Sequence, residues 1–296
     1  MTLPIDRSHI ETEVQNQRTL DLDLFDTDSL VSILAQDHQQ AITAVEEASG
    51  AIASLVDTLV TKFQAGGRLL YLGCGTSGRL GVLDAAECPP TFQSDPGRII
   101  GLIAGGDRSL RTSSEGEEDR FDGAKFELEQ HQVSVHDTVL GIAAGGTTPW
   151  VIGGLELARK MGAYTGFLTC SSQTPACDLV IQLHTGAEPL TGSTRLKAAT
   201  ATKLTLNIIT TALFTRLGKV HGNLMVDLKT SNTKLHDRAI RIVEHFCELD
   251  RAAIAQLLEE AGGVVKTAVV MHCQKVDRKT AVKLLSDAHG NLRDVL

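Results

Sequence analysis

Residues 71–90 decide the fold of this chain and read YLGCGTSGRLGVLDAAECPP. An apolar run ends at Gly73, and Gly75 and Gly78 complete the spacing G-x-G-x-x-G. Glycines at this spacing let a buried strand turn tightly into a helix whose N-terminus binds a phosphate. Thr76 and Ser77 would add hydroxyl groups at the start of that helix. We therefore predict Gly75, Thr76 and Ser77 as phosphate-binding residues.

The residues beyond these glycines indicate whether the phosphate belongs to a dinucleotide. A dinucleotide fold places a ribose-binding acid roughly 20 residues beyond the fingerprint. The acidic residue that comes after the next apolar run, Asp107, lies farther on, and Pro89 and Pro90 predict that the intervening helix ends there. The dinucleotide interpretation is the weaker one.

Apolar runs alternate with helical stretches through the middle of the chain, which predicts a parallel sheet covered by helices on both faces. The predicted strands are residues 68–73, 99–104, 138–143, 164–169 and 179–183. Residues 29–63 are predicted helical, residues 193–217 form one long buried helix, and four helices follow residue 233. We predict an N-terminal helical extension at 1–64, an α/β domain at 65–239 and a small helical domain at 240–296.

Composition limits the function classes. The 296 residues are 42% apolar and carry a net charge of −8, which argues against a general nucleic-acid or membrane-surface partner. The start, MTLPIDRSHIETE, lacks the pattern of a signal peptide, and the six cysteines are scattered, so we expect a reduced, cytoplasmic protein. The ten histidines show no metal-ligand spacing, and we expect no metal and no cofactor.

Further polar loops follow the other predicted strands, at the edge where ligands of parallel sheets bind. An acidic cluster at residues 115–119, EGEED, follows the second strand. The stretch AAGGTTPW follows the third strand and gives four more predicted phosphate contacts: Gly145, Gly146, Thr147 and Thr148. Ser193 and Lys197 stand at the predicted start of the long helix, where cations oppose the helix dipole and are expected to face an anionic ligand. Two phosphate-type loops favour a sugar phosphate over a nucleotide.

Together these blocks resemble the N-acetylmuramic acid 6-phosphate etherase family. The resemblance rests on GCGTSGRLGVLDAAECPPTF, EGEED, GIAAGGTTPWV, TGSTRLKAATATKLTLN and GKVHGNLMVDLKTSN, and it runs from TE..NQRT..LD at residues 12–23 to the C-terminal helices. It implies a sugar-isomerase (SIS) fold related to glucokinase regulatory protein. The family usually reads A-S-G-R-T-P in the third-strand loop, where this chain has Gly145 and Thr147 in place of the serine and the arginine.

The resemblance also implies a reaction in amino-sugar metabolism and cell-wall recycling. The D-lactyl ether at C3 of N-acetylmuramic acid 6-phosphate is cleaved by elimination and hydration. Glu87 and Glu118 match the two catalytic glutamates, which makes Glu87 the proton donor to lactate and Glu118 the base at C2. An apolar environment at Glu87 would keep that carboxyl protonated.

Two other functions on the same fold stay open from the sequence. One is a non-catalytic sugar-phosphate sensor, although sensing does not require an acid–base pair. The other is an aldose–ketose isomerase, which abstracts the C2 proton but expels no group. The long helix at 193–217 is apolar on more than one face, which predicts a homodimer.

Overall fold

The computed structural model describes residues 6–113, 115–228 and 232–296 of the chain. The chain divides into two compact units. The first unit comprises the residues up to Ala85 together with Gly97–Ile209. The second comprises Ala86–Pro96 and Thr210–Leu296. These boundaries differ from those of the three predicted domains, 1–64, 65–239 and 240–296, which remain a prediction.

The first unit is built on a five-stranded sheet, and all five predicted strands are confirmed: β1 Leu69–Gly73, β2 Ile99–Ile103, β3 Thr138–Ile142, β4 Tyr164–Thr169 and β5 Leu179–Gln182. The strands are parallel and lie in the order β2-β1-β3-β4-β5. Every residue of β1 and β3 is buried. Central strands of a parallel sheet are buried on both faces, which explains their uninterrupted apolar sequences.

The helices of this unit connect and cover the strands. They are α1 Thr27–Asp37, α2 Gln39–Glu47, α3 Ser49–Gln64, the first part of α4 Gly75–Phe92, α5 Arg108–Arg111, α6 Glu115–Glu118, α7 Lys125–Gln130, α8 Pro149–Lys160 and most of α9 Lys197–Arg216. Helix α8 packs on β1, β3 and β4, and α3 packs on β5. The segment predicted helical at 29–63 is helical, but it consists of three helices that break near His38 and Ala48.

Helix α4 corrects the prediction that Pro89 and Pro90 end it. The helix continues to Phe92 with both prolines inside. Prolines inside a helix remove the hydrogen bonds of their missing N–H groups, and their rings crowd the preceding turn, so both effects are a loss of stability. Packing offsets that loss, because Cys88 is buried and Phe92 stacks on Phe214 with 4.6 Å between ring centroids.

The second unit is the helical C-terminal region. Its helices are α10 Thr233–Glu244, α11 Arg251–Glu260, α12 Val265–Gln274 and α13 Arg278–Asp287, close to the four predicted ones. Lys266 is buried inside this unit, where its ammonium donates hydrogen bonds to Asp227 and to the carbonyl oxygens of Gly218 and Gly290. Among the described residues no helix is long and apolar enough to cross a membrane.

Candidate active site

The loop after β1 has the geometry that its glycines predict. Helix α4 begins at Gly75, whose φ of +51° is a left-handed conformation that favours glycine. A Cβ atom on Gly78 would lie 2.6 Å from the carbonyl oxygen of Gly73, so only glycine allows this close approach. Thr76 and Ser77 are half-buried in the first turn of α4, where backbone N–H groups have no helical partner. This helix start can accept an anion.

The loop after β3 turns over a second glycine. Gly146 has a φ of +75°, and a Cβ atom there would lie 2.3 Å from the carbonyl oxygen of Gln173. Thr147 and Thr148 are half-buried, and α8 begins at Pro149 as predicted. Thr148 precedes the helix in an extended conformation and directs its hydroxyl elsewhere than to the helix N-terminus. That direction is toward a carboxylate of a neighbouring loop.

The hydroxyl of Thr148 donates a hydrogen bond of 2.9 Å to Oε1 of Glu118, the last residue of α6. Burial, and then the charge of Glu118, raise the pKa of the Cys74 thiol well above its usual value. Cys74 therefore stays a neutral thiol, as expected for a residue that is not a nucleophile. Because Cys74, Glu118 and Thr148 follow β1, β2 and β3, three loops meet at the carboxyl edge of the sheet. A half-buried carboxylate held between two phosphate-type loops can act as a base.

The two predicted ligand contacts near the start of α9, Ser193 and Lys197, lie in different environments. Helix α9 begins at Lys197, four residues later than predicted, and Ser193 lies half-buried in the turns before it. The Lys197 side chain is 5% exposed, and its ammonium lies 2.9 Å from Oδ2 of Asp37. Glu188 is fully buried and accepts hydrogen bonds from the backbone N–H groups of Lys197 and Ala198. Lys197 is thus held in a buried ion pair with Asp37, and its role as a ligand contact remains a prediction.

Glu87 lies on the part of α4 that belongs to the second unit. Its side chain is exposed, so the expected apolar environment is wrong for this structure. Glu87 lies one helical turn after Asp84, whose carboxylate is fixed by two hydrogen bonds. The Tyr71 hydroxyl donates to Oδ2 of Asp84, and the Asn207 amide donates to Oδ1, each at 2.8 Å.

Residues near the N-terminus also reach this edge of the sheet, and the sequence patterns gave them no role. Glu11 accepts hydrogen bonds from Ser171 and Ser172, which follow β4. Burial acts against the charge of Glu11, but these hydrogen bonds outweigh it and hold its pKa below the usual value. The sequence feature that could have indicated a role for this region is the stretch beginning at Thr12. It forms part of the family resemblance, but no role was assigned to it.

Family models match two segments of the chain. Residues 51–159 match the glucokinase regulatory protein N-terminal SIS domain, and residues 222–261 match the C-terminal lid domain of glucokinase regulatory protein. The parallel sheet with its converging loops, followed by the helical C-terminal unit, therefore defines a SIS-domain protein.

Full-length relatives define the family more narrowly. An N-acetylmuramic acid 6-phosphate etherase of Parasynechococcus marenigrum (strain WH8102) is 50% identical over 97% of this chain and 92% of its own. The enzyme of the same name from Synechococcus sp. (strain CC9605) is 51% identical over 98% of this chain and 93% of its own. The chain belongs to the N-acetylmuramic acid 6-phosphate etherase family. Among solved structures, a phosphoheptose isomerase from Francisella tularensis is 15% identical, with a TM-score of 0.47, over 65% of this chain and 100% of its own.

Proposed function

We propose that this protein cleaves the D-lactyl ether of N-acetylmuramic acid 6-phosphate to N-acetylglucosamine 6-phosphate and D-lactate. Family membership supplies the substrate. The observation that carries the assignment to this site is the hydrogen bond from Thr148 to Glu118, which orients a carboxylate between two loops suited to a phosphate. An elimination that begins with removal of the proton α to an aldehyde needs a general base, and a phosphate anchor holds the substrate in place beside it.

The reaction begins on the open-chain sugar, where the C1 aldehyde acidifies the proton on C2. The Glu118 carboxylate takes this proton, the electron pair forms the C2–C3 double bond, and the C3–O bond to lactate breaks. The carboxyl group of Glu87 gives its proton to the departing lactate oxygen. Water then adds across the double bond, with its hydroxyl at C3 and a proton returned to C2. The hydration restores both carboxyl groups to their starting protonation states.

The phosphate at C6 holds the substrate while C2 and C3 react. Gly75, Thr76 and Ser77 offer backbone N–H groups and two hydroxyls at the positive end of the α4 dipole. Gly145, Gly146 and Thr147 face the same edge of the sheet, and Ser193 extends this set after β5. Lys197 acts indirectly in this proposal, because its charge is paired with Asp37.

The protein acts as a homodimer in the cytoplasm in this proposal. Large apolar side chains are exposed on the N-terminal helices and just before them: Leu24 is 76% exposed, Val31 63% and Ile42 53%. Burying such side chains against a second copy is favourable. A second copy that also covers Glu87 would supply the desolvation that the single chain does not. Light scattering at micromolar concentration tests the dimer, and a monomeric mass would refute it.

Incubating the purified protein with N-acetylmuramic acid 6-phosphate and assaying D-lactate tests the activity. Release of lactate and N-acetylglucosamine 6-phosphate in equal amounts is the expected result. Conversion of an aldose phosphate to a ketose phosphate without lactate would instead identify an isomerase. Binding of the sugar phosphate without any turnover would identify a sensor.

A further inference from the structure

The residues Glu11, Thr12 and Glu13, which we call the N-terminal strap, connect loops that follow two neighbouring strands. The Glu11 carboxylate accepts hydrogen bonds from the Ser171 hydroxyl at 3.0 Å and from the Ser172 backbone N–H at 3.2 Å. The carbonyl oxygen of Thr12 accepts one from the backbone N–H of Gly192 at 3.2 Å. Ser171 follows β4 and Gly192 follows β5, so the strap crosses the carboxyl edge of the sheet.

The side chain of Thr12 reaches a third loop, the one that follows β3. Thr12 is fully buried, and its hydroxyl oxygen has no hydrogen-bond partner among the residues that the structure describes. A Cβ atom built on Gly145 would lie 3.6 Å from this oxygen, and no other described atom beyond its chain neighbours lies within 4 Å of that position. The hydroxyl therefore faces the backbone of the loop at residues 144–148, in which Thr148 contacts Glu118.

A buried hydroxyl without a partner destabilises a folded protein, and native structures contain few of them. Each such group in a native structure calls for an explanation, and a functional site is one place where stability is given up. Gly145 has no side chain, so the backbone of its loop is free to approach the hydroxyl.

We propose that Thr12 is a positioning residue of the sugar-phosphate site and acts through Gly145. Its hydroxyl bonds to the backbone of residues 144–148 when this loop closes on the phosphoryl group of a bound sugar. The strap then fixes the loops after β3, β4 and β5 in the arrangement that binds the ligand. This inference rests on the proposed function, because it concerns the same site.

The proposal predicts opposite effects on stability and on binding for Thr12→Val, which removes the hydroxyl and keeps the shape of the side chain. The unliganded variant should melt at the wild-type temperature or above it, because a buried polar group without a partner is gone. Its KM should rise roughly 10-fold or more, because the hydrogen bond formed on binding is lost. The matched control Thr12→Ser keeps the hydroxyl, so its KM should stay near that of the wild type even if the lost methyl group lowers its melting temperature.

The experiment measures melting temperatures with and without N-acetylglucosamine 6-phosphate, together with KM for the substrate. Support requires an undiminished melting temperature of unliganded Thr12→Val, a smaller ligand-induced rise than in the wild type, and normal KM in Thr12→Ser. The proposal is overturned if Thr12→Val fails to fold or melts lower without ligand, if its KM is unchanged, or if Thr12→Ser loses as much affinity. A wild-type protein that releases no lactate would refute the proposed function, whereas the ligand-induced rise would still test the strap.

Discussion

Thr148 and Glu118 belong to loops that follow different strands, and a hydrogen bond of 2.9 Å joins the Thr148 hydroxyl to the Glu118 carboxylate. A hydrogen-bond donor on one carboxylate oxygen fixes the orientation of the group, and so the direction in which the second oxygen can accept a proton. A base must lie within hydrogen-bond reach of the proton that it removes, so this orientation affects the rate of the proposed elimination.

Replacing Thr148 with valine should lower kcat roughly 10-fold, because one hydrogen bond to a charged group is lost and the shape of the side chain is kept. Thr148→Ser retains the hydroxyl and is the matched control. Steady-state lactate release measures both variants. Equal rates in the valine variant and the wild type would show that Thr148 does not orient the base.

Glu118→Gln should lower the rate of lactate release by about 10²–10⁴-fold and also abolish exchange of the C2 proton with deuterated solvent. Both effects follow from the loss of the base. NMR of the sugar phosphate in deuterated buffer measures the exchange directly. Exchange at the wild-type rate in Glu118→Gln would remove the base role from this residue.

Glu87→Gln should separate removal of the C2 proton from the departure of lactate. The loss of the general acid should lower lactate release by about 10²–10⁴-fold, while exchange at C2 continues because Glu118 is intact. The same NMR assay serves as the measurement, with lactate assayed in parallel. Loss of exchange in Glu87→Gln combined with its retention in Glu118→Gln would reverse the two roles.

The strands could be predicted from the sequence because burial on both faces makes them continuously apolar. Glycines at 75 and 146 likewise reveal the two phosphate-type turns, since their left-handed backbone demands glycine. The pairing of Lys197 with Asp37 could not be predicted in this way, because it joins residues far apart in the chain and no local pattern encodes it. Helix α4 continues past Pro89 and Pro90 for a similar reason, as the compensating contact of Phe92 with Phe214 is also distant in sequence.

The sheet also contains an ion pair that should govern acid stability. Arg68, just before β1, donates two hydrogen bonds of 2.9 Å to the buried carboxylate of Asp137, just before β3. Burial acts against the charge of Asp137, but the hydrogen bonds from Arg68 and Ser134 outweigh it and lower its pKa below the usual 3.8. Asp137→Asn should lower the free energy of unfolding by about 2–3 kcal/mol at neutral pH.

The pH dependence of this difference has a definite sign. The folded pKa is lower than the unfolded one, so the unfolded chain binds the proton more readily as the solution is acidified. The difference in the free energy of unfolding between the wild type and Asp137→Asn is therefore largest at pH values well above 3.8. It disappears as the pH falls through the lowered pKa of the folded state. Urea unfolding at several pH values measures it. The exposed Asp57 supplies the control, as Asp57→Asn should change the stability by less than about 0.5 kcal/mol.

Replacing both Thr76 and Ser77 with alanine should raise KM roughly 10- to 100-fold and change kcat little. Contacts to the phosphate are made equally in the ground state and the transition state, so they affect binding more than chemistry. Thr61→Ala, on the exposed face of α3, is a control for the loss of a helical hydroxyl. An unchanged KM in the double variant would move the phosphate away from the first turn of α4.

Gly146→Ala tests whether the turn after β3 requires glycine at position 146. Alanine at 146 would have to adopt a φ of +75° and place its Cβ atom 2.3 Å from the carbonyl oxygen of Gln173, a backbone atom that cannot move alone. The combined strain and overlap should cost about 2–4 kcal/mol of stability and lower the melting temperature by several degrees. Gly145→Ala is the matched control, because among the described residues its Cβ atom would meet the Thr12 hydroxyl alone, at an ordinary contact distance of 3.6 Å. A melting temperature of Gly146→Ala equal to that of Gly145→Ala would show that the loop does not require glycine at 146.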